Sequence, residues 1–375
     1  MAQKWISIVS LSMALLLAIP ALADENKDKK PQDKLAVEKS VDKNAAGDPY
    51  AVPEGTPKQL MEFIQNIIRN MPRDEETYKT ARASMLKAAE KMLAGKPSDE
   101  ELDFAVEVKA HTLDKAEDIA AFSEALKKAG HEKQSRVARS YALQISLRNA
   151  LLNDKSDSPK NQITAVLNYL KEAPPQSADL SLAIMTGQIA ESQGDNAYAL
   201  DVYGKLSKVF NESKDERLAE FGKRLDGVLR RLSLLGHKMQ LEGKLLSGEA
   251  FDFSKYQDKV VLLEFWVSWR QSCAAEVPKL KKIYEKYHDK GFEIVGFGCD
   301  YRREDVEKFV QENNMPWATV YGDKGPSPTF EYYGIMSFPT GILVGKDGNV
   351  KQLNVDASEL DKELEKLLGP AEEKK

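Results

Sequence analysis

The sequence predicts an α + α/β protein, a helical N-terminal domain followed by an α/β sandwich, and three observations carry that expectation. Between Thr56 and Leu235 apolar residues recur at helical spacing, with no convincing strand among them. After Leu235 two continuous apolar runs with β-branched content, Lys259–Val267 and Phe292–Cys299, have the composition of strands covered on both faces. Helical patterns follow each run, and such an alternation builds a layered α/β unit.

At 375 residues the chain can bury two ordinary cores. Its formal net charge of -5 repels phosphate, and it has no basic, aromatic-interleaved surface, so nucleic acid is excluded as a partner. Residues 1–23 have the layout of a signal peptide: Lys4 is the positive start, Ile6 to Ile19 the apolar centre, and Ala21-Leu22-Ala23 the small residues at the cleavage point. That centre is shorter than the roughly 20 residues that cross a bilayer. Cleavage near Ala23 predicts an exported chain, periplasmic or secreted, with no membrane span in its mature form. Residues 24–53 are rich in charge, proline and alanine and too poor in large apolar groups to fold, so they are expected to form a disordered linker.

The helical domain is expected over residues 54–235. Thr56-Pro57 is an N-cap followed by proline at the first helical position, and Leu60, Phe63, Ile64, Ile67, Ile68 and Met71 then follow helical spacing. Ser98 with Glu101 three residues later opens a second helix carrying Leu102, Ala105 and Val106, and Val137, Tyr141 and Ile145 mark a third stripe. Leu182 to Phe210 reads as a helix pair with Gly187, Ala199 and Tyr203 near the small and aromatic positions of tetratricopeptide repeats. No second copy aligns at a period of about 34 residues, so a repeat-like array and an irregular bundle both remain open.

The α/β sandwich is expected over residues 237–369. After the strand at 259–267 come a helix over Ala274–Tyr287, the strand Phe292–Cys299 and a helix over Asp305–Asn313. Gly341–Val344 and Val350–Leu353 pair across the Asp347-Gly348 turn, and Glu359–Leu368 closes the domain.

This order of elements, with LLEFWVSWRQSC, PKLKKIYEKYHDKGFEIVGFGCD, YYGIMSFPTGILV and KDGNV, resembles the thioredoxin-like superfamily. The resemblance is to its exported redoxin branch of cytochrome-maturation thioredoxins and alkyl-hydroperoxide-reductase-like proteins, and it covers about a third of the chain. It implies thiol-disulfide oxidoreduction by a Trp-Cys-x-x-Cys motif at a helix start, where exposed N–H groups and the helix dipole favour the thiolate of the first cysteine. The second cysteine then resolves the mixed disulfide, so turnover needs both. Here Trp269 takes the place of the motif's tryptophan, Arg270 that of the first cysteine, and Cys273 that of the second. Glu264 matches a buried carboxylate that exchanges protons with the second cysteine, and Pro339, after Phe338, matches a cis-proline that leaves neighbouring backbone free to pair with a substrate peptide.

Three readings follow. In the first, the fold and the surface around Trp269, Arg270, Phe338 and Pro339 bind a partner without dithiol turnover, because arginine forms no mixed disulfide. In the second, Cys273 remains a redox thiol, helped by Arg270 and paired with Cys299 at the end of the neighbouring strand, provided their Cα atoms come within about 7 Å. The third gives the function to the helical half. The implied partner is a protein or peptide thiol or disulfide in the exported compartment. A peroxidase would need a threonine where Arg270 stands. The four histidines show no metal-ligand spacing, and Gly296-Phe297-Gly298 lacks the third glycine of a dinucleotide loop, so no metal and no cofactor is implied.

Overall fold

A computed structural model of the chain describes residues 48–152, 159–323 and 325–370. The expected signal peptide at 1–23 and most of the expected linker, up to residue 47, lie outside them. The linker's last residues are ordered, contrary to expectation. Tyr50 and Val52 pack against the first helical core, and the Tyr50 carbonyl accepts a hydrogen bond of 2.7 Å from the Ser84 hydroxyl. Two large side chains within three residues suffice to hold this short stretch.

Nine helices precede the sheet among the described residues: α1 (Pro57–Arg69), α2 (Glu75–Ala94), α3 (Asp99–Thr112), α4 (Ala116–Lys128), α5 (Glu132–Leu152), α6 (Pro159–Lys171), α7 (Asp179–Ser192), α8 (Asn196–Asn211) and α9 (Glu216–Leu232). Capping residues fix their starts as the sequence suggests: Thr56 with Gln59, and Ser98 with Glu101, form reciprocal capping boxes. The chain forms two compact units. The first gathers the chain up to Tyr169 with Gln176–Thr186, and the second takes Leu170–Pro175 and everything from Gly187 onward.

In the first unit α3 serves two cores. Ala105 and Val108 join Leu60, Ile64, Met85 and Met92, while Leu102, Val106 and Ala110 join Ile119, Leu126 and Ala138. Val137, Tyr141 and Ile145 are only half-buried, at the edge of that second core, because α5 buries a face of smaller residues, among them Ser135, Ala138 and Ala142.

The second unit is built on a six-stranded mixed sheet. Its strands are β1 (Lys244–Leu245), β2 (Val260–Trp266), β3 (Phe292–Gly298), β4 (Ala318–Tyr321), β5 (Thr340–Val344) and β6 (Val350–Leu353), in the spatial order β1-β4-β3-β2-β5-β6. β3 lies parallel to both β2 and β4, whereas β5 runs antiparallel to β2 and to β6. The remaining helices are α10 (Gln271–Tyr287), α11 (Arg303–Glu312), α12 (Pro328–Tyr332) and α13 (Ala357–Leu368). β1, β4 and α12, of two, four and five residues, are too short to leave a periodic signal in the sequence.

The transition from helices to strands falls after Leu232, yet the packing unit that holds the sheet already takes in Leu170–Pro175 and runs unbroken from Gly187. Two contacts explain why α8 and α9 belong with the sheet. α9 passes α12 so closely that a Cβ on Gly227 would stand 2.6 Å from the Gly334 backbone nitrogen, and Gly334 itself has φ of 55°. Arg231 of α9, 5% exposed, bonds both carboxylate oxygens of Glu191 at 3.0 and 2.9 Å, and it reaches the Asn354 side chain between β6 and α13 at 3.0 Å. Asn354 and the Tyr203 hydroxyl complete the ring by donating to Glu191 at 2.8 and 2.6 Å. A charge-assisted pair in a buried site is strongly held, and removing one partner strands the other's charge.

Arg231→Ala is therefore expected to destabilise the protein by about 3–5 kcal/mol in urea denaturation. An Arg231→Met, Glu191→Leu pair should recover most of that loss. Equal destabilisation by the single and double variants would show that the charge pair is not what matters.

Candidate functional site

β2 ends at Trp266, and the chain leaves the sheet through Val267, Ser268 and Trp269 to Arg270, the N-cap of α10. A clasp fixes this exit. The Ser268 backbone N–H and hydroxyl each donate a 2.9 Å hydrogen bond to the Asp300 carboxylate, which is buried just past β3. The Cys299 N–H donates to the Trp266 carbonyl at 2.9 Å, and the Tyr321 hydroxyl donates to the Asp300 carbonyl at 2.9 Å. The residue following each half of the clasp is pushed outward: Trp269 is 69% and Tyr301 79% exposed.

α10 starts at Gln271, earlier than the sequence suggests, so Cys273 lies in its first turn. Arg270 caps the helix through its backbone alone, its carbonyl accepting from the Cys273 N–H at 3.0 Å. Cys273 is 2% exposed. Burial pushes its thiol up to about 12, and Glu264 adds to the rise, against the opposing pull of the Val267 backbone, Arg270 and Ser272. Arg270 pulls this thiol down, and desolvation by burial is the larger effect. Cys299 is also buried, its thiol donating to the Phe297 carbonyl at 3.4 Å, and burial raises it well above the ordinary value. Both cysteines are free thiols.

Glu264 is buried at the middle of β2, and burial raises its carboxyl well above the usual range, with Glu276 and Asp356 adding to the effect. Glu276 accepts from the Ala357 N–H at 2.7 Å, and Asp356 caps α13, so the two acids mark where α10 and α13 meet above Glu264. Across the sheet, Glu264 stands in register between Gly296 of β3 and Gly341 of β5, and Gly296 pairs in turn with Thr319 of β4. A Cβ on Gly341 would stand 3.2 Å from Glu264 Oε2, so the glycine there lets the carboxyl lie close to the β5 backbone.

The Phe338-Pro339 bond is cis, as the resemblance implies. Its loop enters β5 at Thr340, which pairs with Phe265, and is tied to α10 by the Ser272 hydroxyl donating to the Phe338 carbonyl at 3.5 Å. Phe338 stacks on Phe330 with ring centroids 5.8 Å apart. Trp269, Arg270, Cys273, Cys299, Phe338 and Pro339 thus collect at one edge of the sheet, with Glu264 beneath it. The Ser268–Asp300 clasp and the Ser272 tether escaped the sequence reading. Their only signal was the acidic residue directly after Cys299. Among the described residues no cluster of His, Cys, Asp or Glu is suited to hold a metal.

The profile of the Thioredoxin-like family matches residues 258–350. The chain is 31% identical over 123 residues to the thiol-disulfide oxidoreductase ResA of Bacillus thuringiensis subsp. konkukian, a match covering 33% of this chain and 69% of the relative. It is 29% identical over 109 residues to the ResA of Halalkalibacterium halodurans, covering 29% and 61% of the two chains. Among solved structures, the thioredoxin domain of a thiol-disulfide oxidoreductase from Bacteroides vulgatus shares 30% identity over 36% of this chain and 97% of its own, with a TM-score of 0.33. Through the segment that carries β2, α10 and the cis-proline loop, this chain belongs to the thioredoxin-like thiol-disulfide oxidoreductase family.

Proposed function

We propose that the thioredoxin-like domain binds an extended segment of a partner protein beside Trp269 and Pro339, in an exported compartment, without ordinary dithiol turnover. The observation that carries this reading is Arg270 at the N-cap of α10, where the family's chemistry needs a sulfur. Disulfide exchange starts when a thiolate attacks one sulfur of an S–S bond and the other leaves as thiolate. A guanidinium cannot make that bond, and Cys273 is too buried and too weakly acidic to replace it. What remains at the surface is suited to contact. Trp269 offers a rigid aromatic face, Phe338 and Pro339 are half-exposed beside it, and Arg270 adds a cation.

Export rests on the leader-like sequence of residues 1–23. No helix of the described residues is long and apolar enough to cross a membrane. A second reading, redox exchange between Cys273 and Cys299, is favoured by one observation: Cys299 follows β3 directly, bonded through its N–H to Trp266 at the end of β2, so both sulfurs belong to the same corner.

Three outcomes test these readings. The native protein should not reduce insulin disulfides, whereas Arg270→Cys should do so at a readily measured rate. Activity in the native protein would defeat the binding reading, and an inert variant would show that the groove has diverged. Alkylation of native Cys273 at about pH 8 should run roughly a thousandfold slower than that of an unperturbed thiol, and thiol counting after denaturation should find both cysteines free under oxidising and reducing conditions alike. A reversible Cys273–Cys299 disulfide would establish the second reading instead.

Glu264 gives a pH signature. It keeps its proton in the folded chain to a higher pH than in the unfolded chain, where its value is near 4.5. Above that pH the folded state binds more protons, so its stability falls as pH rises toward the folded value. Glu264→Gln removes this loss. Its stability advantage over the native protein should be near zero at about pH 4 and grow toward about pH 8 in denaturant titrations. An advantage independent of pH would mean that Glu264 is not held protonated.

A further inference from the structure

The face of the sheet that carries Glu264 has a second polar feature, one strand away, over Gly296. Trp266 follows Glu264 by two residues and shares its face, and its indole stacks on Phe309 of α11 with centroids 4.6 Å apart. Trp317, just before β4, lies edge-on to Tyr284 of α10. Thr319 pairs with Gly296 across β3 and β4. These three residues are 2%, 5% and 5% exposed, yet neither indole N–H nor the Thr319 hydroxyl has a hydrogen-bond partner within the protein among the described residues. The same three atoms are the ones nearest to where a Cβ on Gly296 would stand: Trp266 Nε1 at 2.9 Å, Thr319 Oγ1 at 3.4 Å and Trp317 Nε1 at 3.5 Å. Three separately orphaned polar atoms therefore lie within 3.5 Å of one point beside Gly296, where no side chain stands between them.

We propose that this cradle binds a single buried water molecule. Buried donors are rarely left unpaired, and a buried water makes about three hydrogen bonds to such groups. An indole N–H can only donate and a threonine hydroxyl can do either. The water accepts from both indoles through its two lone pairs and donates one proton to Thr319 Oγ1. It fastens β4 and the Trp317 turn to the end of β2, across a strand that contributes no side chain at the crossing. An alanine at 296 would put its Cβ inside hydrogen-bond distance of Trp266 Nε1 and occupy the water's place. Glycine at this position is accordingly a binding feature, separate from the strand's need to bend or turn.

The test is a high-resolution crystal structure of the mature protein, with water-to-indole cross-relaxation measured in solution on a 15N-labelled sample. The expected result is one density peak within about 2.7–3.2 Å of both Nε1 atoms and of Thr319 Oγ1, and cross-peaks from a long-lived water to both indole protons. Gly296→Ala should lose the density peak and both cross-peaks while retaining the native circular dichroism spectrum. If that variant does not fold, Trp317→Phe serves in its place, losing one indole and shifting the Trp266 Nε1–H resonance. A dry cradle in the native protein, indoles rotated onto protein acceptors, or an anomalous halide peak at the site would each overturn the proposal.

Discussion

β2 is buried at all of its residues and hydrogen-bonded along both edges, to β3 on one side and β5 on the other. Everything at the site is placed by that strand. Its C-terminal end determines where α10 begins, and the clasp between Ser268 and Asp300 keeps that end from sliding relative to β3. Because both faces are covered, the one acidic residue in the strand is desolvated, which raises the Glu264 carboxyl well above its ordinary range, and the nearby acids of α10 and α13 add to the rise.

The same burial accounts for the state of the thiols. A helix N-terminus and an adjacent arginine are the two features that ordinarily lower a cysteine's pKa, and both are present at Cys273. They lose to desolvation, since the side chain turns inward on the first turn of α10. In a Trp-Cys-x-x-Cys site the exposed first cysteine carries the reactivity, and the second can afford to be inert until a mixed disulfide reaches it. At Cys273 the thiol is buried, while Trp269 beside it on the chain is exposed.

Support for the sheet comes from farther along the chain than its strands suggest. The ring of Arg231, Glu191, Asn354 and Tyr203 joins the end of α7, α8 and α9 to the loop between β6 and α13, and α13 in turn lies over β2. Gly227 of α9, against Gly334 just after α12, does the same on another side. A stretch read as helical from its periodicity is thus partly a structural member of the thioredoxin-like unit.

The sequence alone determined the elements whose signal is local. Apolar periodicity located α1, α3, α5 and the α7–α8 pair, the N-cap at Thr56 and the capping box at Ser98 set two of their starts, and the β-branched runs located β2 and β3. Residue identity, set against the family motif, is what raised the expectation that Arg270 takes the place of the first cysteine. The sequence could not show β1, β4 or α12, which are too short for a period to register, nor the ordering of Tyr50 and Val52. Only the tertiary structure decided the electrostatic outcome at Cys273 and Glu264, because a pKa depends on how much water a group loses. It also assembled the contacts made at long range: Ser268 with Asp300, Arg231 with Asn354, and the two indoles and Thr319 around Gly296. Each joins residues on different elements, and their proximity follows from strand order and register, which no local pattern of residues encodes.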